Sequence, residues 1–133
     1  METIFSKIIK GTIPSTKLHE DELCIAILDI NPVNKGHLLI ISREPYPTFS
    51  ECPDTVLEHM MHLAKEADDK LRSTLHCEGT NILINNGKAS GQEVPHLHIH
   101  VIPRYAEDNQ RFGFVKTKYT EDEMAQYGER LAF

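Results

Sequence analysis

Hydrophobic and polar residues alternate along one segment of the chain, residues 95–103. A period of two is typical of a β-strand, because successive side chains of a strand point to opposite faces of the sheet. The alternation therefore predicts a strand with one apolar face and one face of imidazoles. The apolar face consists of Leu97, Ile99 and Val101, and the other face consists of His96, His98 and His100.

Shorter apolar runs predict four further strands. Turn residues bound these runs, as Gly36 and Pro45 do on either side of the third one. The runs cover residues 17–20, 23–28, 37–42 and 81–84. An acidic pair separates the first two runs, which predicts a hairpin.

A hydrophobic period of 3.6 predicts helices. A short amphipathic helix covers residues 4–9 and ends near Gly11. A long helix runs from about Pro53, which suits a first helical turn, to about Leu75. Thr55 and Glu58 are spaced as a capping box at its start.

A last helix begins near Thr120, where Thr120 and Glu123 have the spacing of a second capping box. It carries Met124, Tyr127 and Leu131 on one stripe. Together the elements predict an α+β fold with an antiparallel sheet of about five strands, against one face of which the helices pack. A chain of 133 residues is long enough for one such core and too short for two.

Composition and charge exclude several classes of function. A net charge of −6 argues against a sequence-independent nucleic-acid binder, which needs a basic surface. No apolar stretch approaches the roughly 20 residues that span a bilayer, and no signal-peptide pattern is present, so we expect no membrane partner. Three cysteines without a Cys-x-x-Cys pair indicate reduced thiols, and we expect a cytoplasmic protein.

The row of histidines predicts chemistry on a phosphoryl group. Alternate side chains of a strand stand roughly 7 Å apart, about the span of a phosphoryl group with its attacking and leaving atoms. Imidazole can act as nucleophile, proton donor and hydrogen-bond donor near neutral pH. A solvated face and a metal site are the alternatives, but neighbouring histidines of a flat strand converge poorly on one tetrahedral ion.

A polar loop at residues 85–92 precedes the row and follows a predicted strand. Its glycines, Gly87 and Gly91, allow backbone N–H groups to approach an anion closely. The loop ends in Gly91-Gln92, shortly before the alternating histidines. This arrangement resembles the histidine triad (HIT) superfamily of nucleotide hydrolases and transferases.

The resemblance extends over most of the chain. The segments at 3–11, 20–21, 28–32 and 35–37 follow the order and spacing of that family. The chain is most similar to bacterial members that remove AMP or GMP from phosphoramidates. The resemblance implies a single HIT domain over residues 1–133, with a core at 3–105 and a C-terminal extension at 106–133. It also implies a purine nucleotide substrate and no cofactor.

The implied reaction releases a nucleoside monophosphate from a phosphoramidate or phosphoanhydride through a covalent nucleotidyl-histidine. By resemblance, His98 is the nucleophile and His100 stabilises the phosphate and the leaving group. The backbone carbonyl of His96 would hold the tautomer of His98, and His37 would support the triad. Two other functions stay open, a dinucleoside-polyphosphate hydrolase and a nucleotide-binding interaction protein with negligible turnover.

The resemblance also assigns nucleotide contacts. Asp29 would accept hydrogen bonds from both ribose hydroxyls, as an ionised carboxylate can. Asn85, Gly91 and Gln92 would contact the phosphate. The apolar slot for the base would consist of Ile4, Phe5, Ile8, Ile27 and Ile30.

Two departures from the family pattern affect these expectations. Many bacterial relatives bind structural zinc with Cys-x-x-Cys and a histidine, where this chain has Thr3, Ser6 and Pro45. We therefore expect no metal there. Relatives commonly have Ser or Thr at the position of Glu93, whose carboxylate would repel a phosphate.

Three further expectations concern the rest of the chain. The segment 112–114 could help to choose the leaving group, whereas His59 and His62 fit a helix surface and receive no function. The resemblance implies a homodimer, in which the 81–84 strand and the 53–75 helix of two chains meet. A strand at a sheet edge would expose unpaired backbone groups unless another chain covered it.

Overall fold

The computed structural model describes residues 1–111 and 113–133. Eight helices and strands follow one another in these residues, with single 3₁₀ turns at Phe49–Glu51 and Lys88–Ser90. In chain order they are α1 (Ile4–Lys10), β1 (Lys17–Glu20), β2 (Cys24–Leu28), β3 (Leu38–Ser42), α2 (Asp54–Leu75), β4 (Gly79–Leu83), β5 (His98–Arg104) and α3 (Glu123–Leu131).

The five strands form one antiparallel sheet in the order β1-β2-β3-β5-β4. The predicted α+β class, the five antiparallel strands and the three helices are confirmed. Strand β5, which carries the histidines, lies inside the sheet between β3 and β4, so its backbone is held on both sides. Strands β1 and β4 lie at the edges.

Helices cover both faces of the sheet, so the expectation that they pack against one face is wrong. Helix α2 packs through Met60 and Ala64 on one face, which includes the apolar side chains of β5. Helix α1 packs on the opposite face through Phe5 and Ile8. The physical reason is that residues 24–27 and 38–41 are all buried, so both sides of β2 and β3 need apolar cover.

The ends of two helices differ from the prediction. Helix α2 begins at Asp54 with Pro53 as its N-cap, and neither Thr55 nor Glu58 makes a capping bond. The carbonyl of Pro53 accepts the first helical hydrogen bonds instead, from the N–H groups of Val56 and Leu57. Pro53 therefore lies one residue before the first helical turn, and the predicted capping box at 55–58 is not formed.

Helix α3 begins at Glu123, and its capping box is half formed. The Glu123 carboxylate accepts the Thr120 N–H at 2.9 Å, but Asp122 is the N-cap and makes no side-chain bond. The predicted stripe of Met124, Tyr127 and Leu131 is present but exposed, as is every residue from 124 to 133. Helix α3 therefore adds nothing to the buried core of the single chain.

Strand β5 begins at His98, two residues later than the alternation predicts. His96 and Leu97 still continue its two faces. Leu97 lies in the core under α2, and the ring of His96 packs edge-on against Phe5 of α1. The histidine face of β5 is thus the face that α1 partly covers.

None of the helices in residues 1–111 and 113–133 has both the length and the apolar character that a bilayer crossing requires.

Candidate active site

His98 lies at the start of β5 and forms part of the wall of a cavity of about 490 Å³. Its ring is buried, and Nδ1 lies 2.7 Å from the backbone carbonyl of His96. A carbonyl oxygen can only accept, so Nδ1 carries the ring proton and donates it. Nε2 then has a free lone pair and no hydrogen-bond partner among the described residues. A neutral imidazole held in this tautomer is a ready nucleophile.

His96 is fully buried behind His98 and is held by both ring nitrogens. Nε2 lies 2.6 Å from the backbone carbonyl of Ser42 and must donate to it. Nδ1 of the neutral ring is therefore an acceptor, and the Thr3 hydroxyl donates to it at 2.6 Å. The same hydroxyl accepts the Ser6 N–H in the capping box of α1. The start of α1 thus fixes the residue whose carbonyl orients His98.

His37 and His100 form a directed hydrogen-bond chain. The Val33 N–H donates to His37 Nδ1 at 3.0 Å, so neutral His37 carries its proton on Nε2. That nitrogen lies 3.0 Å from His100 Nδ1 and 3.5 Å from Asp29 Oδ2. Donation to His100 Nδ1 leaves the proton of His100 on its Nε2. His100 then presents an N–H donor near His98, whose ring centroid is 4.9 Å from its own.

Burial keeps these imidazoles neutral. It lowers the pKa of His37, His96 and His98 below the ordinary value. For His98 the His96 carbonyl and the carboxylates of Asp29 and Glu93 partly oppose that shift. Burial, followed by the neighbouring rings of His98 and His37, lowers the pKa of His100 to about 4. At neutral pH the site therefore holds a lone pair on His98 and an N–H on His100.

The apolar part of the cavity wall comes from α1 and β2. It contains all five residues predicted for the base slot, Ile4, Phe5, Ile8, Ile27 and Ile30. It also contains residues that sequence analysis did not place in the site, Ile13, Pro14, Leu39 and Val94. Ile13 and Pro14 follow the left-handed cap of α1 at Gly11, which turns the chain back over the sheet. That cap was the signal that could have found them.

The polar part of the wall contains Asp29, Asn85, Gly91 and Glu93. Asp29 follows β2, and its Oδ1 accepts the Asn31 N–H at 2.8 Å, which holds the carboxylate at the rim. Among the described residues, 1–111 and 113–133, no lysine or arginine lines the cavity. A bound phosphate would therefore depend on neutral donors.

Three predicted residues lie behind the wall rather than on it. His37 and His96 support the rings described above. Gln92 spans the loop before β5, because its Nε2 donates to the Pro47 carbonyl and its Oε1 accepts the Gly87 N–H, both at 2.7 Å. Its side chain is therefore committed to holding the loop. Of the segment 112–114, residue 112 lies outside the described residues.

The residues at the zinc position of relatives do not fit a zinc ion. Thr3 and Ser6 offer neutral hydroxyls, and these bond to each other's backbone N–H groups across the first turn of α1. The remaining proton of Thr3 goes to His96 Nδ1. Zinc sites use thiolate, imidazole or carboxylate ligands. A hydrogen-bond network occupies this place instead.

Comparisons with known proteins agree with this geometry. A family model described as HIT domain matches residues 10–107. An uncharacterized HIT-like protein of Methanocaldococcus jannaschii is 46% identical over 115 residues, which cover 85% of this chain and 88% of that protein. An adenosine 5'-monophosphoramidase of Schizosaccharomyces pombe is 35% identical over 133 residues, which cover 99% and 97%.

The fold has a close counterpart among crystal structures. A member of the HIT family from Bacillus subtilis superposes with a TM-score of 0.89 at 35% identity, over 99% of this chain and 96% of that one. The match extends from α1 through the histidine strand, which are the elements that build the cavity. The chain belongs to the HIT domain family.

Proposed function

We propose that the protein is a nucleotide hydrolase or transferase that releases AMP or GMP from phosphoramidate or phosphoanhydride substrates. The reaction would pass through a covalent nucleotidyl intermediate on His98. The observation that carries this proposal is the bond from His98 Nδ1 to the His96 carbonyl, which leaves Nε2 as a nucleophile in the cavity wall.

In the first step, the lone pair of His98 Nε2 forms a bond to the α-phosphorus of the nucleotide. The bond from phosphorus to the leaving nitrogen or oxygen breaks, and the leaving group departs with that electron pair and takes up a proton from solvent. His98 becomes a cationic ring, and its Nδ1–H bond to the His96 carbonyl strengthens. His100 Nε2–H stabilises the negative charge on the phosphoryl oxygens.

In the second step, water attacks the same phosphorus, and the bond to Nε2 breaks. The electron pair returns to His98, and water gives up the proton that balances the one taken by the leaving group. The nucleoside monophosphate leaves with one new oxygen. Another nucleophile in place of water would make the reaction a transfer.

The cavity supplies a place for each part of the nucleotide. The base would lie in the apolar slot against Phe5, and the ribose hydroxyls would donate to Asp29. Asn85 and the backbone N–H groups near Gly91 would bind phosphate oxygens. A cavity with one apolar side and a few polar groups on the other side is typical of sites that bind small molecules.

The relatives favour a phosphoramidate substrate. The Schizosaccharomyces pombe relative is named an adenosine 5'-monophosphoramidase, and the alignment covers nearly all of both chains. The second candidate is a nucleotide-binding protein with negligible turnover. Glu93 is the observation that favours it, because a carboxylate on the cavity wall repels a phosphate. A dinucleoside-polyphosphate hydrolase remains the alternative enzyme.

We further propose that the protein works as a homodimer in the cytoplasm. Cys24, Cys52 and Cys77 are free and buried, which suits a reducing compartment. Strand β4 lies at a sheet edge, and Ile82 on it is 42% exposed. Pairing of two β4 edges would satisfy the backbone groups of both.

The test is turnover of adenosine 5'-phosphoramidate, followed by release of AMP. We expect wild type to hydrolyse it faster than diadenosine polyphosphates, and His98→Ala to lose activity by at least about 10³-fold while still binding AMP. His62→Ala, a substitution on the exposed face of α2, is the matched control. Negligible wild-type turnover with tight AMP binding would instead support the binding protein.

A further inference from the structure

Four metal-ligating side chains lie together on the face of the sheet that α2 covers. His19 Nε2 and His59 Nε2 are each 2.7 Å from Asp21 Oδ2. The Cys24 sulfur is 3.9 Å from the same oxygen. Strand β1, the following turn, strand β2 and helix α2 supply one residue each. The proposed reaction uses none of these residues, which lie across the sheet from the cavity.

We propose that His19, Asp21, Cys24 and His59 form a binding site for a divalent transition-metal ion, with Zn²⁺ as the preferred ion. Two imidazoles, a carboxylate and a thiolate make a four-ligand set of the type that holds zinc tetrahedrally. Mg²⁺ and Ca²⁺ prefer oxygen ligands throughout, so this donor set discriminates against them. The inference is independent of the proposed function.

Backbone bonds already hold the carboxylate in place for binding. Asp21 Oδ1 accepts the N–H groups of Leu23 and Cys24 at 2.8 and 3.0 Å. These bonds orient the carboxylate so that Oδ2 points toward the two histidines. Outer hydrogen bonds of this kind are what orient ligands at metal sites.

The two imidazoles are free to present a lone pair to the ion. Each Nε2 now donates to Asp21, and Nδ1 of each ring has no hydrogen-bond partner among the described residues. The proton can therefore move to Nδ1, which water can solvate, and Nε2 then becomes a ligand. The rings of His19 and His59 are 41% and 40% exposed, so an ion can reach the site from solvent.

The distances require small movements only. The ligand atoms of Asp21, Cys24 and His59 all lie within 4.8 Å of one another. Zinc bonds of about 2.0 Å to nitrogen and 2.3 Å to sulfur place tetrahedral ligands roughly 3.3–3.8 Å apart. Rotation of the half-exposed imidazoles away from Oδ2 opens that space, while the buried sulfur stays in place.

The charges around the cluster also permit a cation. Arg43 is a neighbouring positive group, whose Nε donates to the backbone carbonyl of Asp21 and whose Nη2 is paired with the Glu20 carboxylate at 2.7 Å. Asp21 contributes a negative charge directly, and Cys24 contributes a second one when the ion displaces its proton. A bound ion would tie the β1–β2 hairpin to α2, and thereby hold the edge of the sheet against the helix.

The experiment is a titration of the metal-free full-length protein with Co²⁺ and Zn²⁺. Co²⁺ bound to a thiolate gives a near-ultraviolet charge-transfer absorption, which separates this site from the thiol-free group of Asp29, His37 and His100 at the histidine strand. We expect the absorption to saturate at one ion per chain and to disappear when Zn²⁺ displaces Co²⁺. We also expect Zn²⁺ to raise the Tm.

His59→Gln tests the site without touching the buried core. We expect it to weaken Co²⁺ and Zn²⁺ binding by more than about 100-fold, because loss of an outer partner alone costs 10–100-fold. His62→Gln is the matched control on the same helix, where the 71% exposed His62 side chain pairs with Glu66, and we expect unchanged binding. Absence of the thiolate absorption in wild type, or equal affinity in the two variants, would overturn the proposal.

Discussion

His98 and His100 are two residues apart on one strand, yet their rings face the cavity with opposite hydrogen-bonding character. The His96 carbonyl leaves His98 with a lone pair on Nε2, whereas His37 leaves His100 with a proton there. A ring nitrogen with a lone pair and a ring N–H donor thus lie side by side, and neither ring is charged at neutral pH. The tautomer of His100 is set, through His37, by the Val33 N–H, a backbone group that no sequence motif marks.

The residue types of the site could be read from the sequence, but their contacts could not. Strict alternation placed His98 and His100 on one face, and the glycine loop lay beside them. Gln92 shows the limit of sequence alone, because an amide at the end of a glycine-containing loop fits a ligand contact and a brace within the loop equally well. Only the positions of Pro47 and Gly87 decide for the brace.

Asp29→Ala is expected to weaken binding of AMP by about 10- to 150-fold, the equivalent of roughly 1.5–3 kcal/mol for hydrogen bonds to a charged acceptor. Binding of a 2',3'-dideoxy analogue should change far less. Calorimetry with both ligands measures the difference. Asp29→Asn, which keeps an acceptor oxygen, should fall between wild type and the alanine variant. An equal loss of affinity for both ligands would show that Asp29 stabilises the turn after β2 and does not bind the ribose.

Glu93→Ser is expected to lower KM for adenosine 5'-phosphoramidate by about fivefold, because it removes roughly 1 kcal/mol of repulsion from the phosphate. It should also move the acidic limb of the kcat/KM profile to lower pH, since the Glu93 charge raises the pKa of His98. Glu58→Gln removes the same charge from α2, on the other face of the sheet. If Glu58→Gln changes KM and the pH profile as much as Glu93→Ser does, the change arises from the net charge of the protein and not from the position of Glu93 in the cavity wall.

At the scale of elements, periodicity was sufficient for the type and approximate extent of each helix and strand. It could not tell that α1 covers the second face, because a short amphipathic helix fits either face of a sheet. The predicted capping box at 55–58 is not formed and the one at 120–123 is half formed, whereas a full capping box lies at Thr3 and Ser6. A cap is decided by backbone angles before the helix, which spacing alone does not report.

Thr3→Val tests how α1 is joined to the histidine strand. The change keeps the shape but leaves buried His96 Nδ1 without a donor and α1 without its cap. We expect a loss of about 1–3 kcal/mol in the free energy of unfolding and a lower kcat, as His96 orients His98. Urea denaturation measures the first and steady-state kinetics the second. Thr3→Ser should restore both, and a fully stable valine variant would contradict the account.

At the scale of the whole molecule, the order of strands is the property that sequence analysis did not supply. Strand β5 is last along the chain but lies inside the sheet, where β3 and β4 hold it on both sides. Pairing between strands that are far apart in the sequence depends on how both faces of the sheet are packed, and the local pattern of hydrophobic residues does not report this. The same order leaves β4 at an edge, beside α2.

Ile82→Lys is expected to convert a dimer into monomers. Ile82 pairs in register with Val101, so its side chain lies on the face that α2 covers. A buried lysine there would lack a partner for its charge. Light scattering should give about twice 15.2 kDa for wild type and 15.2 kDa for the variant. Leu18→Lys, at the opposite edge of the sheet and 50% exposed, is the control. If Leu18→Lys dissociates the dimer and Ile82→Lys does not, the contact between the two chains lies at β1 rather than at β4.

During turnover we expect His98 Nε2 to carry the nucleotide as a covalent adduct. The measurement mixes the protein with adenosine 5'-phosphoramidate and stops the reaction rapidly without acid. Mass spectrometry of the intact protein and of its fragments then follows. We expect a transient increase in mass equal to one adenylyl group, located on His98 and absent from His98→Ala, and we expect the His62→Ala control to behave as wild type. Turnover with no adduct at any time, or an adduct on another residue, would contradict it.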